Sequence, residues 1–117
     1  MRPLVCAALV ALLVPAAARA DGSLTRTVTV GGPVKVVSIR LPKTDYPAYD
    51  ITLHGKSVSS VKVDLRHGSR SVGHPSIATC LPGVCNYSYS PQNTSTYSVV
   101  LTKAKGGPVK VSVKVGW

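Results

Sequence analysis

Five positions near the end of the chain constrain the fold most. Val109, Val111, Val113, Val115 and Trp117 share one parity, and Lys110, Ser112 and Lys114 fill the other. A period of two marks a strand with one face buried and one face in water. The same pattern recurs upstream. Leu24, Val28 and Val30 alternate with Thr25, Thr27 and Thr29; Val61, Val63 and Leu65 alternate with Lys62, Asp64 and Arg66. Tyr49, Ile51 and Leu53 share a parity, as do Cys85, Tyr87 and Tyr89, and then Tyr97, Val99 and Leu101. No segment after residue 20 keeps a helical period, and that stretch holds 16 valines, residues that suit a pleated surface. About seven short strands punctuated by Gly, Pro, Ser and Asn predict an all-β chain, a small antiparallel β-sandwich of jelly-roll-like or Ig-like type.

Two finer expectations follow. Val34 and Val36 have one parity and Val37, Ile39 and Leu41 the other, a phase slip that predicts a β-bulge near Val36. Residues 67–75 contain Gly68, Gly73 and Pro75 and read as a long loop. Gly-Gly-Pro-Val-Lys-Val occurs at Gly31 and again at Gly106, each time as a turn opening a valine-rich strand, which is local convergence rather than a repeat.

The start of the chain carries a different signal. Arg2 precedes an apolar run over residues 4–14, Pro15 breaks it, and Ala18-Arg19-Ala20 supplies small residues for a peptidase. That is the pattern of a secretory signal over residues 1–20, too short to span a bilayer, with cleavage expected before Asp21. An uncleaved anchor is the alternative. The expected location is secreted or periplasmic, with no transmembrane segment left after cleavage. Removing 20 of the 117 residues leaves 97, enough for one domain over 21–117.

The remaining residues hold 12 Lys and Arg against four Asp and no Glu, a net charge of +8. Such a balance favours anionic partners, here an anionic polysaccharide or cell-surface polymer, with no specific nucleic acid expected. Solubility of a small monomer is the competing reason for the charge. On the strand pattern, Lys62 and Arg66 point outward, as do Lys110 and Lys114, and Lys35 occupies the matching place in the first Gly-Gly-Pro-Val-Lys-Val. If their strands are neighbours, these five form a cationic ladder, and they are the candidate anion-binding residues. Tyr46, between Pro42 and Pro47, is the aromatic expected to be most exposed and available for a ligand contact.

Cys6 falls in the signal, which leaves Cys80 and Cys85 around Leu81-Pro82-Gly83-Val84. In an oxidising compartment, an even pair flanking a Pro-Gly turn predicts a disulfide. Catalytic signatures are weak. His67, Ser69, Ser71 and His74 crowd one segment, but Gly-x-Ser-x-Gly is missing, and closeness in sequence is not triad geometry. Without Glu, two facing carboxylates for glycoside chemistry are scarce. His54, His67 and His74 show no ligand spacing, and Asp45 and Asp50 lack a third acid nearby. No catalytic residue, no metal and no cofactor is expected. Asn86-Tyr87-Ser88 and Asn93-Thr94-Ser95 are glycosylation sequons, used only in a eukaryotic source.

From Leu53 onward the order of features resembles the pre-peptidase C-terminal domain, a small β-sandwich attached to many secreted bacterial proteases. Leu53-His54-Gly55 matches its apolar-x-Gly segment, and Val63-Asp64-Leu65-Arg66 its Asp-x-Asp-Leu-Tyr strand. His67-Gly68 matches the turn, Cys80 and Cys85 the cysteine pair, and Tyr97-Ser98-Val99 with the final valine strand the last two elements. The resemblance covers about the last 65 residues. It implies a sandwich fold. Lys62 and Arg66 stand where that family has its first Asp and its Tyr, so the family's calcium binding is not expected here. The functional expectation is a non-enzymatic binding or accessory module. The alternative is a secreted inhibitor that presents the Cys80–Cys85 loop to a protease or lytic enzyme.

Overall fold

The computed structural model describes residues 22–103 and 105–117. The expected signal over 1–20, its cleavage site and Cys6 lie outside the described residues. Among the described residues nine strands follow one another: β1 (Ser23–Val30), β2 (Val36–Arg40), β3 (Tyr49–His54), β4 (Lys62–His67), β5 (Arg70–Ser71), β6 (Ile77–Leu81), β7 (Val84–Tyr89), β8 (Ser98–Thr102) and β9 (Val109–Gly116). A single 3-10 turn, Val58–Ser60, joins β3 to β4, and no α-helix occurs among the described residues.

The strands form two antiparallel sheets. One has five strands in the order β1-β9-β3-β7-β6, the other four in the order β2-β8-β4-β5. The register explains the alternation. Val113 lies opposite Leu53 and Val115 opposite Ile51, so one apolar row runs across β9 and β3. In the second sheet, Val99 lies opposite both Ile39 and Leu65, and Leu101 opposite both Val37 and Val63. These rows meet between the sheets in one core that includes Tyr49, Ile51, Leu53, Leu65, Tyr89, Tyr97, Val99, Leu101, Val111, Val113 and Val115. Burial of this apolar surface is the main force holding the two sheets together. Arg26 lies opposite Val113 on the edge strand β1 and remains exposed. An inward-parity charge on an edge strand discourages further pairing.

The all-β, two-sheet expectation describes the chain, and three details differ. β2 pairs with β8 in continuous register from Val36 to Arg40, so no bulge interrupts it. The phase slip arises because Val34 belongs to the preceding turn, where it bridges Gly31, and the strand begins afresh at Val36. The segment 67–75 is not wholly a loop: Arg70–Ser71 pairs back onto Arg66 and His67 as a tight hairpin. β6 gave no sequence signal because all five of its residues are exposed at a sheet edge, so its pattern carries no buried face.

Candidate functional site: a lysine-bearing pole

Strand direction decides where the charges gather. Val30 ends β1 opposite Val109, which opens β9, so the turn after β1 and the loop before β9 lie side by side. The turn closes through Gly31 N–H to the Val34 carbonyl at 2.6 Å and Val34 N–H to the Gly31 carbonyl at 3.2 Å. Gly31 has φ +103°, and a Cβ there would stand 2.9 Å from both the Gly107 carbonyl oxygen and Lys103 Cδ. Glycine is therefore what lets the two turns touch. Lys35 leaves the first turn exposed. In the second, the Lys103 ammonium donates to the Lys105 carbonyl, and Lys105 is exposed.

Two further segments end at the same pole. After β3, Gly55 N–H donates to the Gly83 carbonyl at 3.1 Å, which ties the β3 exit to the disulfide loop. Gly55, Lys56, Ser57, Pro108, Val109 and Lys110 then line one cleft of about 450 Å³. In the other sheet, Lys62 opens β4 opposite Thr102, which is also opposite Val36 next to the first turn. Lys35, Lys56, Lys62, Lys103, Lys105 and Lys110 thus share one end of the sandwich.

One carboxylate lies close to them: Asp64, two residues along β4 from Lys62, lines the same cleft as Lys62. Asp50 lies opposite Gly116 at the far end, where its Oδ1 accepts from Asn86 Nδ2 and Ser88 Oγ, both at 3.1 Å. Asp45 sits in the β2–β3 loop beside Trp117, also at the far end. Asp64 lies partway along β4, held by Arg66 Nε at 2.8 Å and Ser71 Oγ at 2.7 Å. Six cations beside this one carboxylate, itself paired with Arg66, keep a net positive field that attracts anions.

The five cations expected to form a ladder are therefore divided. Lys35, Lys62 and Lys110 lie at this end of the sandwich, Lys62 and Lys110 on the outer faces of different sheets. Arg66 and Lys114 do not: Arg66 lies on the outer face of the four-stranded sheet, tied to Asp64, and Lys114 on the outer face of the five-stranded sheet between Thr25 and Thr52. β4 and β9 belong to different sheets, so no continuous ladder crosses them. Lys56, Lys103 and Lys105 were missed by sequence reasoning, which looked only at strand positions. The signal was present in the lysines flanking the second Gly-Gly-Pro turn.

The remaining candidates fall elsewhere. Cys80 and Cys85 lie directly opposite each other and are bonded at an S–S distance of 2.08 Å, with the Cys85 side chain buried and Cys80 exposed. His67 Nε2 and Ser95 Oγ stand 2.8 Å apart, a pairing hidden in the sequence by a separation of 28 residues. No carboxylate hydrogen-bonds to this His67 among the described residues, so the pair lacks the third member of a hydrolytic triad. Ser71, grouped with His67 in the sequence, is instead engaged with Asp64. No group of three metal-binding side chains occurs among the described residues. Tyr89 is pushed up to about 12, first by burial, then by the charge of Asp64 and by Tyr87. Burial also raises Tyr87, and burial followed by Tyr97 raises Tyr49. Tyr46 is 84 % exposed.

No protein-family model matches the chain, and no curated protein matches it. What the fold and the site define together is a class: a small two-sheet β-domain with one cationic pole.

Proposed function

We propose that the chain is a secreted, non-enzymatic binding module that holds an anionic polysaccharide or cell-surface polymer at its lysine pole. The carrying observation is the placement of six lysines, from both sheets, at one end where Asp64, already held by Arg66 and Ser71, is the carboxylate beside Lys62. Lysine suits this role, since its ammonium is a flexible point charge that follows a polymer without demanding one geometry. The cleft between Lys56 and Lys110 gives the polymer a seat rather than a flat surface.

The resemblance to the pre-peptidase C-terminal domain is part of the same proposal. Its weak point, calcium, has a structural counterpart, because the one carboxylate of β4 is already committed to Arg66 and Ser71. A second reading, an inhibitor, draws support from the disulfide loop at the same pole. There Leu81 is 61 % exposed and Gly83 is fixed by its bond to Gly55, a preorganised loop that loses little entropy on docking.

Chromatography on immobilised heparin across a salt gradient tests the first reading. Retention is expected to be strong at low ionic strength and to fall steeply as the screening length shortens to about 8 Å at 0.15 M salt. Elution in the void volume at low salt would leave the charge as a solubility device. Inhibition of a lytic enzyme or protease that Leu81→Asp abolishes would favour the second.

A further inference from the structure

The pole opposite the lysines has a different chemistry. Lys43, Thr44, Asp45, Tyr46 and Trp117 line a single cleft of about 440 Å³, within the size range of small-ligand sites. Two aromatic side chains thus border one opening, with a carboxylate, an ammonium and a hydroxyl beside them.

The indole and the backbone of the Tyr46 loop are held in place. The backbones of Gly22 and Trp117 exchange hydrogen bonds, Gly22 N–H to the Trp117 carbonyl at 3.1 Å and Trp117 N–H to the Gly22 carbonyl at 3.0 Å. The indole lies against Gly22 so closely that a Cβ there would stand 2.8–2.9 Å from Cζ2, Cε2 and Nε1. The Tyr46 loop is pinned along its length. Leu41 N–H donates to the Tyr97 carbonyl at 2.8 Å, Tyr49 Oη to the Pro42 carbonyl at 3.4 Å, and Thr94 Oγ1 to the Asp45 carbonyl at 3.2 Å. Tyr46 N–H donates to Thr44 Oγ1 at 3.3 Å. Tyr46 is nonetheless almost fully exposed. An aromatic ring this exposed contributes nothing to the core.

We propose that this cleft binds a pyranose ring within a neutral, β-linked glycan, with Tyr46 and Trp117 contacting the C–H face of the sugar and Asp45 and Lys43 bonding its hydroxyls. A pyranose with equatorial substituents presents axial C–H groups on its faces, and these meet the negative face of an aromatic ring favourably. Its rim of hydroxyls needs both an acceptor and a donor, which the carboxylate and the ammonium supply. The open shape of the cleft admits the interior of a chain as well as its end. This site is independent of the lysine pole and lies at the other end of the molecule.

The chain has one tryptophan, so its emission reports on the site directly. Titration with cellohexaose or laminarihexaose is expected to change Trp117 fluorescence saturably. Tyr46→Ala should weaken that binding about tenfold, the scale of one aromatic contact. Gly22→Ala, which displaces the indole, should weaken it as well. The triple variant Lys35→Gln, Lys62→Gln, Lys110→Gln should bind the hexasaccharides as the parent does, even where it has lost heparin. The absence of a saturable change with both hexasaccharides at millimolar concentration overturns the proposal. So does an affinity unaltered by Tyr46→Ala.

Discussion

Removing the Cys80–Cys85 bond is expected to cost stability unequally according to how it is done. The bridge joins residues five apart, and the chain-entropy treatment assigns so short a loop about 2 kcal/mol. In a domain of this size that lowers Tm by about 8–16 °C. Reductant, or the double variant Cys80→Ala with Cys85→Ala, should produce a loss of that size. The two cysteines differ in surroundings. Cys80 is exposed, with its sulfur 3.5 Å from the Tyr87 hydroxyl, whereas Cys85 is wholly buried opposite Leu53. A reduced Cys85 thiol stays comfortable in an apolar core. A serine hydroxyl there without a partner adds about 1–3 kcal/mol to the loss. Cys85→Ser should therefore melt well below Cys80→Ser in paired thermal and urea unfolding experiments. Equal losses from the two serine variants, or a Tm insensitive to reductant, would refute this reasoning.

Three other outcomes are expected. Tyr49, Tyr87 and Tyr89 all have folded-state values raised above the ordinary 10.0, Tyr89 to about 12. Their contribution to stability is intact below pH 10 and is lost as pH rises towards 12, so tyrosinate absorbance at 295 nm and loss of fold should rise together in that window. Gly31→Ala forces a side chain onto φ +103° and against the Gly107 carbonyl, and should cost about 1–3 kcal/mol in urea unfolding. Millimolar calcium should leave Tm unchanged in calorimetry, because Asp50 and Asp64 are already hydrogen-bonded and Asp45 has no acid beside it.

Much of the fold was legible because seven strands bury a face. The valines of β9 and the inward rows of β4 and β8 repeat every two residues, and a pattern of that kind has one structural solution. β6 and β5 were not legible for the opposite reason. Ile77, Thr79 and Leu81 gain no burial at their edge, so nothing in their order records the strand. The site was half legible. Outward positions of Lys62 and Lys110 follow from alternation, yet alternation does not say which strands adjoin. That β4 and β9 lie in different sheets is a property of topology, and it turned an expected ladder into a shared pole. Lys56, Lys103 and Lys105 sit in turns, where no period exists to assign a direction. The His67–Ser95 contact depends on the long-range closure of two loops and leaves no local trace.

The central claim is that position, not net charge, makes the lysine pole bind. Two triple variants with equal charge separate these. One carries Lys35→Gln, Lys62→Gln and Lys110→Gln at the pole. The other carries Arg26→Gln, Arg40→Gln and Lys114→Gln away from it. Their heparin affinities should be measured over a range of salt concentrations. In the counterion-release picture the slope of log affinity against log salt falls by about one for each phosphate- or sulfate-paired cation removed. The pole variant is expected to lose about three in slope by that rule, and the control variant close to none. Equal losses in the two variants would contradict the account.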